Sequence, residues 1–240
     1  MKLIITALLC LFMYNASAQD KIANLREADL IFWQSLYQSG ESFYCSHNFE
    51  EPRTTTTGEQ ITLELVYDTH WIVESLGCKR AKFCKTESEI FDHAQGDLHN
   101  LWPVLSRARK IRGDRIWGEV DTESAYWPDC SIKRKRAIPI IEVRPEIRGE
   151  IARSVFYMAH TYNFFIPSEL KPYLAQWSDE DPPSAEEKHR NDTIEKLQGT
   201  RNVYIDKHEL VHQHTFIWKR WKPQDAYIDK IEEYRKTHKL

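Results

Sequence analysis

Apolar side chains recur along residues 21–38 at Ile22, Leu25, Leu30, Trp33, Leu36 and Tyr37, the spacing of one helical face, with Gly40 marking its end. The texture changes after Cys45. Residues 61–67 alternate and are rich in β-branched and large apolar side chains, which predicts a strand leading into Asp68, Thr69 and His70. Residues 97–111 return to helical spacing, with Asp97 as N-cap. Behind Pro145, residues 145–165 place Ile147, Ile151, Val155, Met158, Ala159 and Tyr162 on one stripe, a core-facing helix. Residues 178–184 read as a loop, and Ala185–Gln198 as a further helix stopped by Gly199. The charged, aromatic stretch after Asp206 carries Trp218, Trp221 and Tyr227, with a peripheral helix expected over 224–237. These elements predict an α+β, helix-rich single domain with a small antiparallel sheet.

The first residues follow a different logic. Lys2 precedes a nearly unbroken apolar run over residues 3–14, and Ala16-Ser17-Ala18 supplies small residues before Gln19, the arrangement of a cleaved export leader. That run is shorter than the roughly 20 residues a membrane-spanning helix needs, and no later segment is longer. The expected organisation is a leader over 1–18, a domain over 19–206 and a tail over 207–240, secreted to the periplasm or the exterior. Cys10 leaves with the leader. Cys45, Cys78, Cys84 and Cys130 remain, an even set that reads as two disulfides with three possible pairings. The short separation of Cys78 and Cys84 favours that pair, leaving Cys45 for Cys130. Zinc competes poorly, because neither a CxxC pair nor a histidine cluster accompanies these cysteines.

A formal charge of −3 does not by itself point to a nucleic-acid partner. Its distribution does more. Lys79, Arg80, Lys82 and Lys85 form one basic run, Arg107, Arg109, Lys110, Arg112 and Arg115 a second, and Lys133 to Arg136 a third, suggesting a basic face within an acidic chain.

Several segments carry a resemblance. Asp97-Leu98-His99-Asn100-Leu101-Trp102-Pro103 is followed by Gly113-Asp114-Arg115. Arg148-Gly149-Glu150-Ile151-Ala152-Arg153 leads into Phe156-Tyr157-Met158, and Arg190-Asn191 with Ile194 leads into Gln198-Gly199-Thr200-Arg201-Asn202. Tyr44-Cys45 stands ahead of them all. In this order they resemble bacterial endonuclease I, the exported non-specific endonucleases of the ββα-metal type. The resemblance implies a disulfide-stapled ββα-metal core and one-metal hydrolysis of phosphodiesters in DNA, and in RNA as a further substrate. A histidine at a strand end acts as base, a divalent metal (magnesium) neutralises the phosphate, and an arginine steadies the developing charge. The expected partner is nucleic acid, bound by a monomer.

Carried onto this chain, the base is His70 and the steadying arginine Arg80, while Asp97, His99 and Asn100 belong to the frame beneath the site. At the ligand positions the chain departs from the family. Thr69 stands where the family has glutamate before the histidine, and Arg112, or Arg109, stands where it has asparagine. A guanidinium has no lone pair to give a cation. Asp68 and Glu74 are then the carboxylates available to hold a metal. Arg109, Arg112, Arg148 and Arg153 are candidates to grip nucleic acid. The alternative is a catalytically silent scaffold that binds nucleic acid or an envelope partner, with Arg112 placing a fixed charge where the metal would sit.

Overall fold

The computed structural model describes residues 18–120, 126–134 and 139–220. Almost all of the leader expected over 1–18, Lys135 and Arg136, Trp221 and Tyr227, and the helix expected over 224–237 lie outside the described residues.

Asn24 caps α1 (Leu25–Ile31) by accepting from the amides of Arg26 and Glu27, and a wider turn over Phe32–Leu36 ends the segment short of Gly40. Strands β1 (Gly40–Glu41), β2 (Asn48–Glu50) and β3 (Thr54–Thr55) form a small antiparallel sheet. The next strand, β4 (Ile61–Leu65), stops two residues earlier than its alternation predicts. Asp68 then caps α2 (Thr69–Ser75), so His70 lies in the first turn of a helix rather than at a strand end. Helices α3 (Ala81–Glu87) and α4 (Glu89–Gln95) follow.

The helix expected over 97–111 divides. Asp97 caps a single 3₁₀ turn over Leu98–Asn100, the chain extends as β5 (Leu101–Leu105), and only then does α5 (Ser106–Arg112) begin. Two forces oppose a continuous helix. Pro103 has no amide to donate, and Leu101 to Leu105 are all buried, which suits a strand covered on both faces. Strand β5 pairs antiparallel with β4 from Ile61 opposite Leu105 to Leu65 opposite Leu101.

Strands β6 (Ile116–Trp117), β7 (Lys133–Arg134) and β8 (Ile140–Glu142) make a mixed sheet in the order β6-β8-β7. Helix α6 (Arg148–Tyr162) is buried on nearly every side, including Ile151, Val155, Phe156 and Met158, so it is the core helix its stripe predicts. Strand β9 (Phe165–Pro167) leads to α7 (Leu174–Glu180), which takes up the first three residues of the loop expected over 178–184. Helix α8 (Ala185–Gln198) has Ser184 as its cap and Gly199 at φ +84° as its stop, as read from the sequence. The short α9 (Val203–Asp206) and β10 (Ile217–Lys219), parallel to β9, complete the described chain.

The fold is the expected helix-rich α+β domain. Among the described residues its sheets are small and separate, with two parallel pairings beside the antiparallel ones. Disulfides join Cys45 to Cys130 and Cys78 to Cys84. The first closes the longer loop, and so restricts the unfolded chain more.

Candidate active site

The site forms where β4, β5 and α5 meet. Beyond Leu65 the strand ladder is carried on by a side chain. Asn100 accepts from the Tyr67 amide through Oδ1 at 2.6 Å and donates to the Tyr67 carbonyl through Nδ2 at 2.9 Å. Its own carbonyl accepts from the Val66 amide at 3.0 Å. The Tyr67 hydroxyl donates to the Phe165 carbonyl at 2.6 Å. The chain is thereby pinned up to Asp68, whose Oδ1 accepts from the His70 amide at 2.7 Å.

Helix α5 brings Arg112 back across this segment. Its Nη1 donates to Glu64 Oε1 at 2.7 Å, Asp68 Oδ2 at 3.2 Å and the Leu65 carbonyl at 3.3 Å, and its Nη2 to the Val66 carbonyl at 3.4 Å. Arg109 Nε lies 3.2 Å from the other Glu64 oxygen, and the Tyr44 hydroxyl donates to Oε1 at 3.1 Å. The indole of Trp117 underlies the Arg112 guanidinium at 4.7 Å. Glu64 and Arg112 are 2% and 3% exposed, whereas Arg109 is 51% and Asp68 26% exposed, so Arg109 is the cation of the cluster that reaches solvent. Gly113, at φ +52°, ends α5 in a conformation that side chains rarely adopt. A cavity of about 220 Å³ is lined by Glu64, Leu65, Asp68, Thr69, Arg109, Arg112 and Gly113.

Burial pushes the Glu64 carboxyl above its ordinary value, against the charges of Arg112 and Arg109. Burial also works against the Arg112 charge, but Glu64, Tyr44 and Asp68 outweigh it and the guanidinium is held more firmly protonated than usual. Glu64 was not among the residues singled out from the sequence. Its place in an alternating strand reads as solvent-facing, whereas the structure covers that face with Tyr44 and α5.

His70 follows Asp68 and Thr69, both of which line the cavity. Its Nε2 is shielded from solvent and makes no hydrogen bond among the described residues. Arg80 is exposed at the start of α3, amid exposed Lys79, Lys82 and Lys85. Glu74 is paired instead with Lys219 at 2.9 Å. Arg148 is held by Glu142 at 2.9 Å and Glu119 at 3.5 Å. Arg153 is buried against Glu187 and the Asp181 carbonyl, so it offers no surface to a duplex. Of the four arginines expected to grip nucleic acid, Arg109 is the exposed one beside the cavity.

The motif residues around Asp97 are indeed frame. Asp97 accepts from the hydroxyls of Tyr157 at 2.9 Å and Tyr162 at 2.8 Å and from Gln198 Nε2 at 2.9 Å. His99 sits against the Thr200 carbonyl at 3.1 Å, and burial with nearby Arg190 lowers its pKa to about 3, which keeps the ring neutral. Arg190 donates to the carbonyls of Leu98 at 2.6 Å and Leu101 at 2.7 Å while stacking on Trp102. The RN and QG segments of α8 thus clasp the turn that aims Asn100 at the site.

A divalent ion does not fit the donor set. No group of three or more His, Cys, Asp or Glu able to hold a metal exists among the described residues. Asp68 is engaged by Arg112, Glu74 pairs one oxygen with Lys219 while its Oε2 is buried without a partner, and both oxygens of Glu64 face guanidinium groups. Of the expected ligand pair, Asp68 lines the cavity but is taken up by Arg112, and Glu74 does not line it.

Two antiparallel strands, the helix that follows the second, and a charge cluster at their junction place this chain among α+β nuclease domains with a ββα core. More narrowly, it belongs to the Endonuclease I family, whose profile matches residues 44–209. It is 30% identical over 122 residues to Endonuclease-1 of Buchnera aphidicola subsp. Acyrthosiphon pisum, covering 51% of this chain and 49% of that protein. It is 28% identical over 130 residues to a periplasmic deoxyribonuclease of Aeromonas hydrophila, covering 52% and 53%. The extracellular ribonuclease of Bacillus subtilis is 30% identical over 140 residues, covering 51% and 46%. The chain thus spans about half the length of the relatives it matches. Members of this family generally depend on a divalent metal. No helix among the described residues is long and apolar enough to cross a membrane.

Proposed function

We propose that this protein is an exported, sequence-nonspecific endonuclease that hydrolyses phosphodiesters of DNA, with RNA as a second substrate. The relatives named as periplasmic and extracellular nucleases support the location, as do the disulfides and the leader expected over 1–18. The domain over 19–206 would carry the activity as a monomer, with 207–240 as its tail.

The observation that carries the catalytic reading is the unpartnered, shielded Nε2 of His70, next to two residues that line the cavity. A ring nitrogen with no internal partner keeps its capacity to take a proton from a water brought in with the substrate as the oxygen attacks phosphorus. The phosphoryl oxygens gain charge in that step, and exposed Arg109 is the cation placed to meet it. Arg80, on the exposed basic start of α3, would hold the strand through its backbone, which explains weak sequence preference. The magnesium that the resemblance implies finds Asp68 taken up by Arg112 and one oxygen of Glu74 by Lys219.

A digestion assay of oxidised protein on plasmid and RNA, in magnesium, manganese and chelator, tests this reading with His70→Ala alongside. We expect the variant to lose about 10²- to 10⁴-fold in rate with an unchanged melting temperature. Undiminished cutting by His70→Ala would remove the base assignment. The seating of Arg112 at the cluster's centre favours a second reading, a scaffold that holds phosphate without cutting. That reading predicts no cutting under any condition, with DNA retention that falls steeply as salt rises.

A further inference from the structure

We infer that Arg112 is the built-in cation of this site, and that its guanidinium excludes a divalent metal from the oxygen cage formed by β4, the Asp68 cap and α5. Four oxygens converge on one end of the side chain: Glu64 Oε1, Asp68 Oδ2 and the carbonyls of Leu65 and Val66, at 2.7, 3.2, 3.3 and 3.4 Å. Two of them are carboxylate oxygens and two are backbone carbonyls, the hard donors that a calcium, magnesium or manganese ion would take. Here they accept hydrogen bonds from Nη1 and Nη2 instead.

Charge and space both exclude coexistence. Glu64 and Asp68 bring two negative charges, and Arg112 and Arg109 bring two positive ones. A divalent ion would add two uncompensated charges beside a guanidinium that cannot deprotonate. Arg112 cannot swing aside easily either, since its charge is 3% exposed and backed by Trp117. Its Nε remains without a partner, so the side chain is not seated for the best hydrogen bonding of its own. The cluster is thereby neutral without an added ion, with exposed Arg109 as the group that can contact a phosphodiester or phosphate and Arg112 as the anchor of the two acids.

The cage can be opened by substitution. Arg112→Ser removes the guanidinium and leaves the two carboxylates and two carbonyls facing vacated space, and Arg112→Gln removes the charge with a shorter, neutral group. Manganese and calcium are titrated calorimetrically into the oxidised full chain as wild type, Asp68→Asn, Arg112→Ser, Arg112→Gln and the double variant Asp68→Asn/Arg112→Ser. We expect no saturable site in the wild type. Arg112→Ser should gain one ion per chain with a Kd of about 10⁻⁴ to 10⁻³ M, the range of sparse extracellular oxygen cages, and the double variant should lose it. The melting temperature of Arg112→Ser should then rise with manganese.

A wild-type protein that binds one manganese ion, lost on Asp68→Asn, overturns the inference. So does a folded Arg112→Ser or Arg112→Gln protein that binds none. If neither variant folds, the wild-type titration decides alone. None of these readouts requires catalysis, so a failed digestion assay and a failed cage are separate results. Where the wild type does cut nucleic acid, chelator should leave its rate within about twofold, since no donated step passes through an ion.

Discussion

Two buried arginine–glutamate pairs among the described residues differ in kind, one a bidentate fork and one shared beside a cavity. Arg153 meets Glu187 fork to fork, with Nε on Oε1 at 2.8 Å and Nη2 on Oε2 at 2.5 Å, and so ties α6 to α8. Arg112 instead divides Nη1 among Glu64, Asp68 and the Leu65 carbonyl, with Arg109 drawn in from the surface. The surroundings differ in balance as well. Around Arg153 the acids are in surplus, and the Glu150 carboxyl is pushed up to about 8 by burial first, then by the charges of Glu187 and Asp181. Around Arg112 a second arginine offsets the second acid. A pair in which both carboxylate oxygens are taken up by one guanidinium fork serves as a tie. A pair whose charge is spread over several partners at a cavity wall can act on something outside itself.

Arg153→Ala puts the greatest strain on that distinction. It leaves Glu187 buried without its partner, and chemical denaturation should show a loss of about 3–5 kcal/mol, with the cutting or DNA retention of the remaining folded protein unchanged. A small loss would mean that the forked pair is no tie.

The acid surplus is tested by pH. Glu150 keeps its proton in the folded state up to about pH 8, against an ordinary value of 4.5. The unfolded chain gives that proton up first, so folded stability declines as pH rises from the ordinary value through the folded one, by up to about 1.4 kcal/mol per unit. Glu150→Gln should flatten this decline, raising the melting temperature at pH 8 more than at pH 5. Equal effects at both pH values would show that the carboxyl is not protonated in the fold.

The smallest effect on stability belongs to Arg109→Ala. Half exposed, it should change stability by less than about 1 kcal/mol, yet lower the salt slope of DNA retention by about 1. A large stability loss with unaltered retention would make Arg109 part of the frame.

Much of the chain could be read locally. Ser184 and Gly199 bound α8 because capping and the left-handed turn are settled by a few adjacent atoms. The stripe along α6 and the pairing of Cys78 with Cys84 were legible for the same reason: spacing decides them. The 97–111 segment misled because its apolar spacing suits a helix until Pro103 and the pairing with β4 are weighed together. The site was legible as a region, through Asp68, His70 and Arg112, but not as an arrangement. Arg148 and Arg153 read as surface cations until Glu142 and Glu187 were seen to hold them.

By itself, then, the order of residues determined the helices with their own caps and stops, the core stripe, the cysteine set and the family motifs, all of which depend on neighbours in sequence. Only the tertiary structure decided which charges meet. Glu64 and Arg112 are 48 positions apart, and Asp68 and Arg112 are 44 apart. Whether an acid serves a metal, a lysine or an arginine turns on approach within a few ångströms, and that is set by how β4, β5 and α5 pack rather than by any local pattern.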